Sequence, residues 1–534
     1  MNSLISPKYA GRVLTALAAI TGLFLTAGCG SGSGITPPNT EGFSNSSLNG
    51  TYVFSAQGAD VDGAPVAIAG TLVAGGSGKI TGGTIDIVDP EFDVSPNVPP
   101  SPAAQTITGG SYTVGTDGRG KATITSPYTA LYGAVTLDFV LTSTSHGLVT
   151  EFDESGTGSG TIDLQTAVTS LSQLAGPYAF SITGTDSGGG ALASAGAFTL
   201  SGSTVAGVAD YNDAFNVVTQ TLTGTATLGT GTGPNSITLT TASFPLTFDF
   251  YPIDSTHWKL IETDYSEFLA GDVFTQTGAT SIPTGTMAFT MSGSSTAGGP
   301  VVAGGFLTNN GTSFSGTEDL NNSGTVIANA GFTGVPGTVA SIGGRVVVSL
   351  SGFDPGVTQW VVYPSSGGLL MLETDTANVM LGAAYAQTAT SFGAGAYGLN
   401  LSGVNGATNV GEVDDVAQFN ATTTNLTGVL DEDDSGTLVQ DTPLTATYTP
   451  DSPADGRGVI NATDADTYLG GATLQYYVVN NSTVIFIEVD SGQVSAGTFE
   501  LQSTPSSSAA VAQSRMSFVR AVARSHKAIK TRAK

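Results

Sequence analysis

Four times along the chain a glutamate and an aspartate stand two residues apart: Glu151 and Asp153, Glu262 and Asp264, Glu373 and Asp375, Glu488 and Asp490. On a strand such residues share a face, so each pair can bring two carboxylates to one substrate, the arrangement that glycoside hydrolysis uses. Recurrence in every copy argues against a hydrolase and for an element of structure. The pairs lie in apolar sequence (Val149, Leu260, Met371, Phe486), and a carboxylate drawn into such surroundings needs a partner. Between Cys29 and residue 514 the cations are Lys79, Arg119, Lys121, Lys259, Arg345 and Arg457. Arg119 and Arg457 sit in Asp-Gly-Arg-Gly strings, and Arg345 follows Gly343-Gly344 at the same repeat position. An internal ion pair is therefore expected in three units: Glu151 with Arg119, Glu373 with Arg345, and Glu488 with Arg457. The second unit has Lys259 near its glutamate instead. The competing expectation is an exposed arginine on a hairpin turn, because Asp-Gly is itself a turn signal.

A second repeated set has the form G-x-x-D, with Asp or Asn three residues on: Gly83-Asp86-Asp89, Gly207-Asp210-Asp213, Gly316-Asp319-Asn322 and Gly428-Asp431-Asp434. The last two widen into Asp319, Asn321, Ser323 and Asp431, Asp433, Ser435, each followed by glycine. This is the first half of a calcium loop, where alternate oxygens face a hard cation. Position twelve of that loop is Ala330 or Thr442 rather than glutamate, so calcium competes with an Asx-type hairpin turn. The three histidines, His146, His257 and His526, stand alone without metal-ligand spacing, which argues against zinc or a histidine-based triad. Gly156, Gly158 and Gly160 lie between two expected strands and read as a turn, not a nucleotide loop.

The elements that carry these residues are strands. Glycine at 73 residues, a charged fraction of 11 % and a hydrophobic fraction of 40 % describe a chain that folds with many turns. A G-x-[YM]-x-[FL]-x-x-x-G string occurs at Gly50-Tyr52-Phe54-Gly58, Gly176-Tyr178-Phe180-Gly184, Gly285-Met287-Phe289-Gly293 and Gly395-Tyr397-Leu399-Gly403. Each copy is followed by one Glu/Asp pair, a glycine seven residues beyond its aspartate, and a glutamine five further on: Gln165, Gln276, Gln387 and Gln502. Four β units follow, at 47–166, 173–277, 282–388 and 392–503. The second divides into about eight alternating runs only a few residues apart. The expected fold is all-β, four tandem antiparallel domains, each an up-and-down barrel of about eight strands; seven-stranded immunoglobulin-like sandwiches are the alternative.

The ends read differently. Lys8, Arg12 and the apolar stretch Val13 to Leu25 form a signal peptide over residues 1–28. It ends in Leu25-Thr26-Ala27-Gly28-Cys29, which resembles the bacterial lipobox, with threonine where leucine is commoner. That resemblance implies acylation of Cys29 (palmitate among the acyl groups) and a membrane anchor, and Gly30 after the cysteine implies an outer-membrane or cell-surface location. Cys29 is the chain's one cysteine, so no internal disulfide can form. Residues 29–46 are a Gly/Ser/Pro tether. Residues 504–534 form a basic tail with seven of the fifteen cations, suited to an anionic surface.

The G-x-Y-x-F, D-G-R-G and E-x-D strings together resemble those of acidobacterial-type glycine-rich repeat lipoproteins, over residues 47–503. The resemblance implies little about activity. Residues 29–514 carry 42 acidic side chains against six cations, a net charge of −36, which is read as a strongly anionic surface and excludes nucleic acid as a partner. The function expected is non-enzymatic, a membrane-anchored surface protein whose row of β domains binds or adheres. A purely structural envelope spacer and a surface hydrolase are the alternatives. No cofactor is expected beyond the calcium at Asp319 and Asp431.

Overall fold

The computed structural model describes residues 42–89, 104–127, 134–229, 234–264, 267–276, 282–340, 343–405, 411–462 and 471–503. The signal peptide, residues 29–41 with Cys29, the basic tail and His526 lie outside the described residues. Within them the chain is built of antiparallel strands, from Asn49–Asp60 to Gln493–Leu501, with two short 3-10 turns. The strands close into four eight-stranded barrels in sequence order. Barrel 1 runs from Asn49 to Leu164, barrel 2 from Gly176 to Thr275, barrel 3 from Gly285 to Ala386 and barrel 4 from Gly395 to Leu501. Barrel 1 carries one extra two-residue strand, Gln105–Thr106, beside its third. The end of the expected tether belongs to barrel 1 instead, with Phe43 buried in its core and Asn45–Ser47 in a 3-10 turn. Successive strands of each barrel pair antiparallel, and the last strand of each barrel pairs with its first, so the sandwich alternative falls.

Repeated residues make this closure possible. On the first strands Tyr52 and Phe54, Tyr178 and Phe180, Met287 and Phe289, and Tyr397 and Leu399 all point into a barrel core. Two residues further along each first strand, at Ala56, Ile182, Met291 and Leu401, the closing strand presents a glycine. A Cβ on Gly160 would lie 1.7 Å from the Ser55 carbonyl oxygen, and one on Gly271 2.0 Å from that of Ser181, so the two strands meet at a distance no side chain allows. The Gly156, Gly158, Gly160 string is therefore part of the eighth strand, Gly156–Leu164, and not the turn expected.

Each barrel has its own core, and the indoles of Trp258 and Trp360 fill barrels 2 and 3, both fully buried. Additional apolar clusters lie between barrels and contain residues from two of them. One joins barrels 2 and 3 (Ala195, Phe274, Tyr363, Leu381), one joins 3 and 4 (Phe306, Tyr477, Ile487), and one joins 1 and 2 (Val53, Tyr251, Ile261). A fourth joins barrel 4 back to barrel 1 through Val140, Leu148 and Val416. The expected row of domains is thus a closed ring.

Candidate functional site: the joints between barrels

The Glu/Asp pairs end the seventh strand of every barrel, and in each the aspartate accepts a backbone N–H from the sixth strand. Asp153 takes that of Thr136 at 3.2 Å, Asp264 that of Thr247 at 2.5 Å, Asp375 that of Thr358 at 2.5 Å and Asp490 that of Thr473 at 2.7 Å. The glutamates are buried: Glu373 Oε1 accepts the N–H of Asn378 at 2.7 Å, and Glu488 accepts the hydroxyl of Ser495 at 2.6 Å. Burial raises their pKa, to about 10 in Glu373 and well above the usual carboxylate range in Glu151 and Glu488, with the neighbouring aspartates adding to the rise. These groups brace the barrel wall.

The arginines do not meet those glutamates, which overturns the expected pairs of Glu151 with Arg119, Glu373 with Arg345 and Glu488 with Arg457. Each arginine instead crosses to the G-x-x-D aspartate of the preceding barrel. Arg345 of barrel 3 holds Asp210 of barrel 2 through two bonds of 2.6 and 2.7 Å, and Arg457 of barrel 4 holds Asp319 of barrel 3 through two of 2.8 and 2.6 Å. Arg119 of barrel 1 reaches Asp431 of barrel 4 at 3.0 Å and Asp441 at 2.7 Å, closing the ring. Tyrosine hydroxyls converge on the same aspartates: Tyr363 donates to Asp210, and Tyr477 to Asp319 at 2.6 Å. A fixed guanidinium fork and a phenol on one buried carboxylate satisfy its lone pairs without water.

An asparagine at two of the joints and a glutamine at all four add to them. The amide of Asn212 donates to the carbonyls of Glu373, Asp375 and Asn378 of the next barrel, the shortest at 2.8 Å; Asn321 does the same to Glu488, Asp490 and Gln493. The terminal glutamines reach across as well. Gln165 donates to Pro252 at 2.7 Å, Gln276 to Gly343 at 2.6 Å, Gln387 to Asp455 at 2.8 Å, and Gln502 to Asp117 and Leu141, both at 2.8 Å.

The calcium reading is corrected by the same geometry. Asp319 is held by Arg457 and Tyr477, and Asn321 by the next barrel, while Ser323 and Ser435 lie at left-handed turn positions of the third-to-fourth hairpin. Asp431 takes Arg119 and the N–H of Asp441, and Asp433 accepts the N–H of Gly436. Among the described residues no three Asp, Glu, His or Cys side chains gather in a way that can hold a metal ion.

The histidines, expected to stand alone, have acidic partners. His146 and His257 occupy the same position, the first residue of the seventh strand. His146 lies 2.6 Å from Asp163 and 3.1 Å from Glu500 of barrel 4. Although burial opposes the charge, those two carboxylates raise its pKa to about 9, and its charge in turn lowers Asp163 to about 2 against the opposing effect of burial. His257 and Lys259 both meet Asp272, at 2.6 and 2.8 Å, so Lys259 serves that aspartate rather than Glu262.

Burial also changes the reading of charge. Of the chain's 42 carboxylates, 21 are buried. Many are shifted upward by desolvation, among them Asp138 and Asp414 to about 7 and Glu318 and Asp433 to about 8. Half of the formal acid is therefore inside the barrels and their joints rather than on the outer surface. What the outside does carry is threonine: on the fourth strand of barrel 2, Thr219, Thr221, Thr223, Thr225 and Thr227 alternate on one exposed face.

No family model and no curated protein matches the chain. Among solved structures it is similar to a double mutant of the vaccine antigen transferrin binding protein B from Haemophilus parasuis Hp5. The identity is 12 %, over 67 % of this chain and 83 % of that one, with a TM-score of 0.19. A superposition that loose carries no argument about what the barrels do.

Proposed function

We propose that the chain is an exported, lipid-anchored surface protein whose barrel ring is a rigid, non-enzymatic binding platform. One observation carries this: the repeated residues that could do chemistry are engaged in holding the ring together, while the outward wall presents ordered hydroxyls. The Glu/Asp pairs brace strands, the arginines, asparagines and glutamines form joints, and neither set is left to act on a substrate. Alternate threonines on a strand stand about 6.7 Å apart, and neighbouring strands about 4.8 Å apart, a lattice of hydroxyls and methyls suited to a hydroxylated polymer such as a glycan. The membrane partner is the acyl chain on Cys29, with the basic tail adding contact to an anionic surface.

A structural spacer is the second reading, favoured by the indole-filled interiors of barrels 2 and 3. Binding of the full chain to soluble and insoluble glycans separates the two. The platform reading expects retention that Thr221→Asp with Thr223→Asp abolishes while circular dichroism is unchanged; no retention on any polymer overturns it. The anchor is tested by Cys29→Ser, which is expected to move the protein out of washed membranes.

A further inference from the structure

The joint between barrels 4 and 1 differs from the other three at a pair of facing residues. On the second and third strands the cross-strand pair is Ala193 with Asn212 in barrel 2 and Val302 with Asn321 in barrel 3. In barrel 1 it is Ala67 with Val88, and in barrel 4 it is Asp414 with Asp433. An apolar residue beside an amide or a valine has thus become two carboxyls directly opposite each other, both with no measurable exposure. Like charges so placed repel, and burial removes the water that would screen them.

Asp433 also stands where the asparagines donate their amide hydrogens to the next barrel. An ionised carboxylate has nothing to donate. Its Oδ1 accepts the Gly436 N–H at 2.7 Å, while its Oδ2 is buried without a hydrogen-bond partner. Only the protonated carboxyl, with an O–H on Oδ2, has a hydrogen to offer at this position, as Asn212 and Asn321 have. Asp414 reaches across the joint to barrel 1, accepting from Thr157 at 2.9 Å and Ser159 at 2.7 Å.

We propose that the joint between barrels 4 and 1 is a proton-dependent latch, closed while Asp433 and Asp414 hold a proton and opened when both are ionised. The charges that bear on the pair are acidic. Asp153 of barrel 1 and Asp434 of the same strand act on Asp433, and Glu151 of barrel 1, itself buried, is acted on by Asp433, Asp414, Asp153 and Asp89. The nearest cations of the joint are committed elsewhere, Arg119 to Asp431, Asp441 and Asp117, and Lys121 to Asp138 at 3.5 Å. Desolvation moves Asp414 to about 7 and Asp433 to about 8, inside the range where such a latch works. His146, charged below about 9 and bonded to Glu500 across the joint, loses its contribution in the same direction as pH rises.

Spin labels test the proposal on the full chain in a Cys29→Ser background. One pair is placed at Thr125 and Thr447, exposed on barrels 1 and 4, and a control pair at Thr223 and Thr333, exposed on barrels 2 and 3. The expected result is one short distance for the first pair at pH 5, with a longer population appearing by pH 9, while the control pair and the circular dichroism stay constant. Asp433→Asn with Asp414→Val restores the pair found in barrel 3 and is expected to hold the short distance at both pH values. A pH-independent distance in the unmodified chain, opening of the double variant with the unmodified midpoint, or equal opening of the control pair would each overturn the latch.

Discussion

The joint between barrels 3 and 4 and the joint between barrels 4 and 1 use equivalent positions for opposite electrostatic ends. In the first, Asp319 is enclosed by the Arg457 fork and the Tyr477 hydroxyl, and Asn321 donates to three carbonyls beyond it. In the second, Arg119 divides itself among Asp431, Asp441 and Asp117, valine (Val140) stands where Tyr477 would, and the asparagine has become Asp433. A permanent cation holds one joint; protons hold much of the other. Repetition supplied one template, and the ring's seam is where its polar chemistry was altered.

The largest expected effect comes from breaking the fixed joint. Asp319→Ala leaves the guanidinium of Arg457 and the hydroxyl of Tyr477 facing each other in a buried site, and should cost about 3–5 kcal/mol in urea unfolding, the range for removing one partner of a buried ion pair. Asp433→Ala at the seam removes a group that is unfavourable when charged and should cost far less at pH 8. Equal losses would show that the two joints do not differ as described.

Next in size is the pH dependence of the whole molecule. Asp138, Asp414, Asp433, Glu267 and Glu318 have folded pKa values of about 7 to 8, above their unfolded values, so the folded state binds the extra protons. Their contribution is complete below about pH 4 and is lost as pH climbs to about 8, at roughly 1.4 kcal/mol per pH unit for each proton released. The raised pKa of His146 removes a further contribution as pH passes about 9. Asp163 runs the other way, its pKa lowered to about 2, so its contribution is present above its unfolded value near 4 and fades as pH falls toward 2. Unfolding midpoints should therefore peak near pH 4–5 and fall toward pH 9; a maximum at pH 8 would contradict the assigned burial.

A smaller effect is expected from the glutamine clasp. Gln502→Ala deletes two bonds from barrel 4 to the carbonyls of Asp117 and Leu141, at a cost of about 1–3 kcal/mol. Hydrogen exchange should quicken in Arg119–Thr125 and Val135–Leu141 and leave barrels 2 and 3 as they were. Exchange that quickens evenly around the ring would mean the clasp does not act locally.

Much of the architecture was legible because a glycine needed for close strand approach and an aromatic that fills a barrel leave fixed spacings. Gly160 and Gly271, Phe54 and Phe180 mark the closing and opening strands from sequence alone. The repeated Asp210, Asp319 and Asp431, the three arginines and the glutamines were visible too, as positions. Their partners were not. Asp319 and Arg457 are 138 residues apart, and Gln502 meets Asp117 across 385, so spacing within a unit points only to the nearest buried glutamates as partners for the arginines. The signal that was present lay in the arithmetic of the set: each unit has one arginine at most and an aspartate with no cation beside it in the strand pattern, which a chain of identical modules can satisfy only between neighbours. The histidines were missed for a related reason, since Asp163 faces His146 through strand register and not through sequence spacing.

The smallest effect, and the sharpest use of the template, concerns the joint between barrels 1 and 2, which has the tyrosine but no arginine. Tyr251 donates to Asp86, and Asp249 stands beside them, so two carboxyls share a site that elsewhere holds a cation. Burial, then Asp249 itself, pushes the pKa of Asp86 well up, and desolvation takes Asp249 to about 6. Arg119 and Arg457 lie opposite Val140 and Tyr477; the register Asn235 to Phe250 puts Pro234 opposite Tyr251, at the arginine position. Pro234→Arg should bring a guanidinium to Asp86 and lower both carboxyls. Charge-assisted hydrogen bonds of this kind contribute about 1.5–3 kcal/mol and ordering an arginine side chain costs up to about 2, so a gain near 1 kcal/mol is expected at pH 8. At pH 4 both carboxyls are protonated in the parent chain and the gain should shrink toward zero. Urea midpoints at the two pH values measure the difference, and a variant destabilised equally at both would show that barrel 2 lost its arginine because the joint has no room for one.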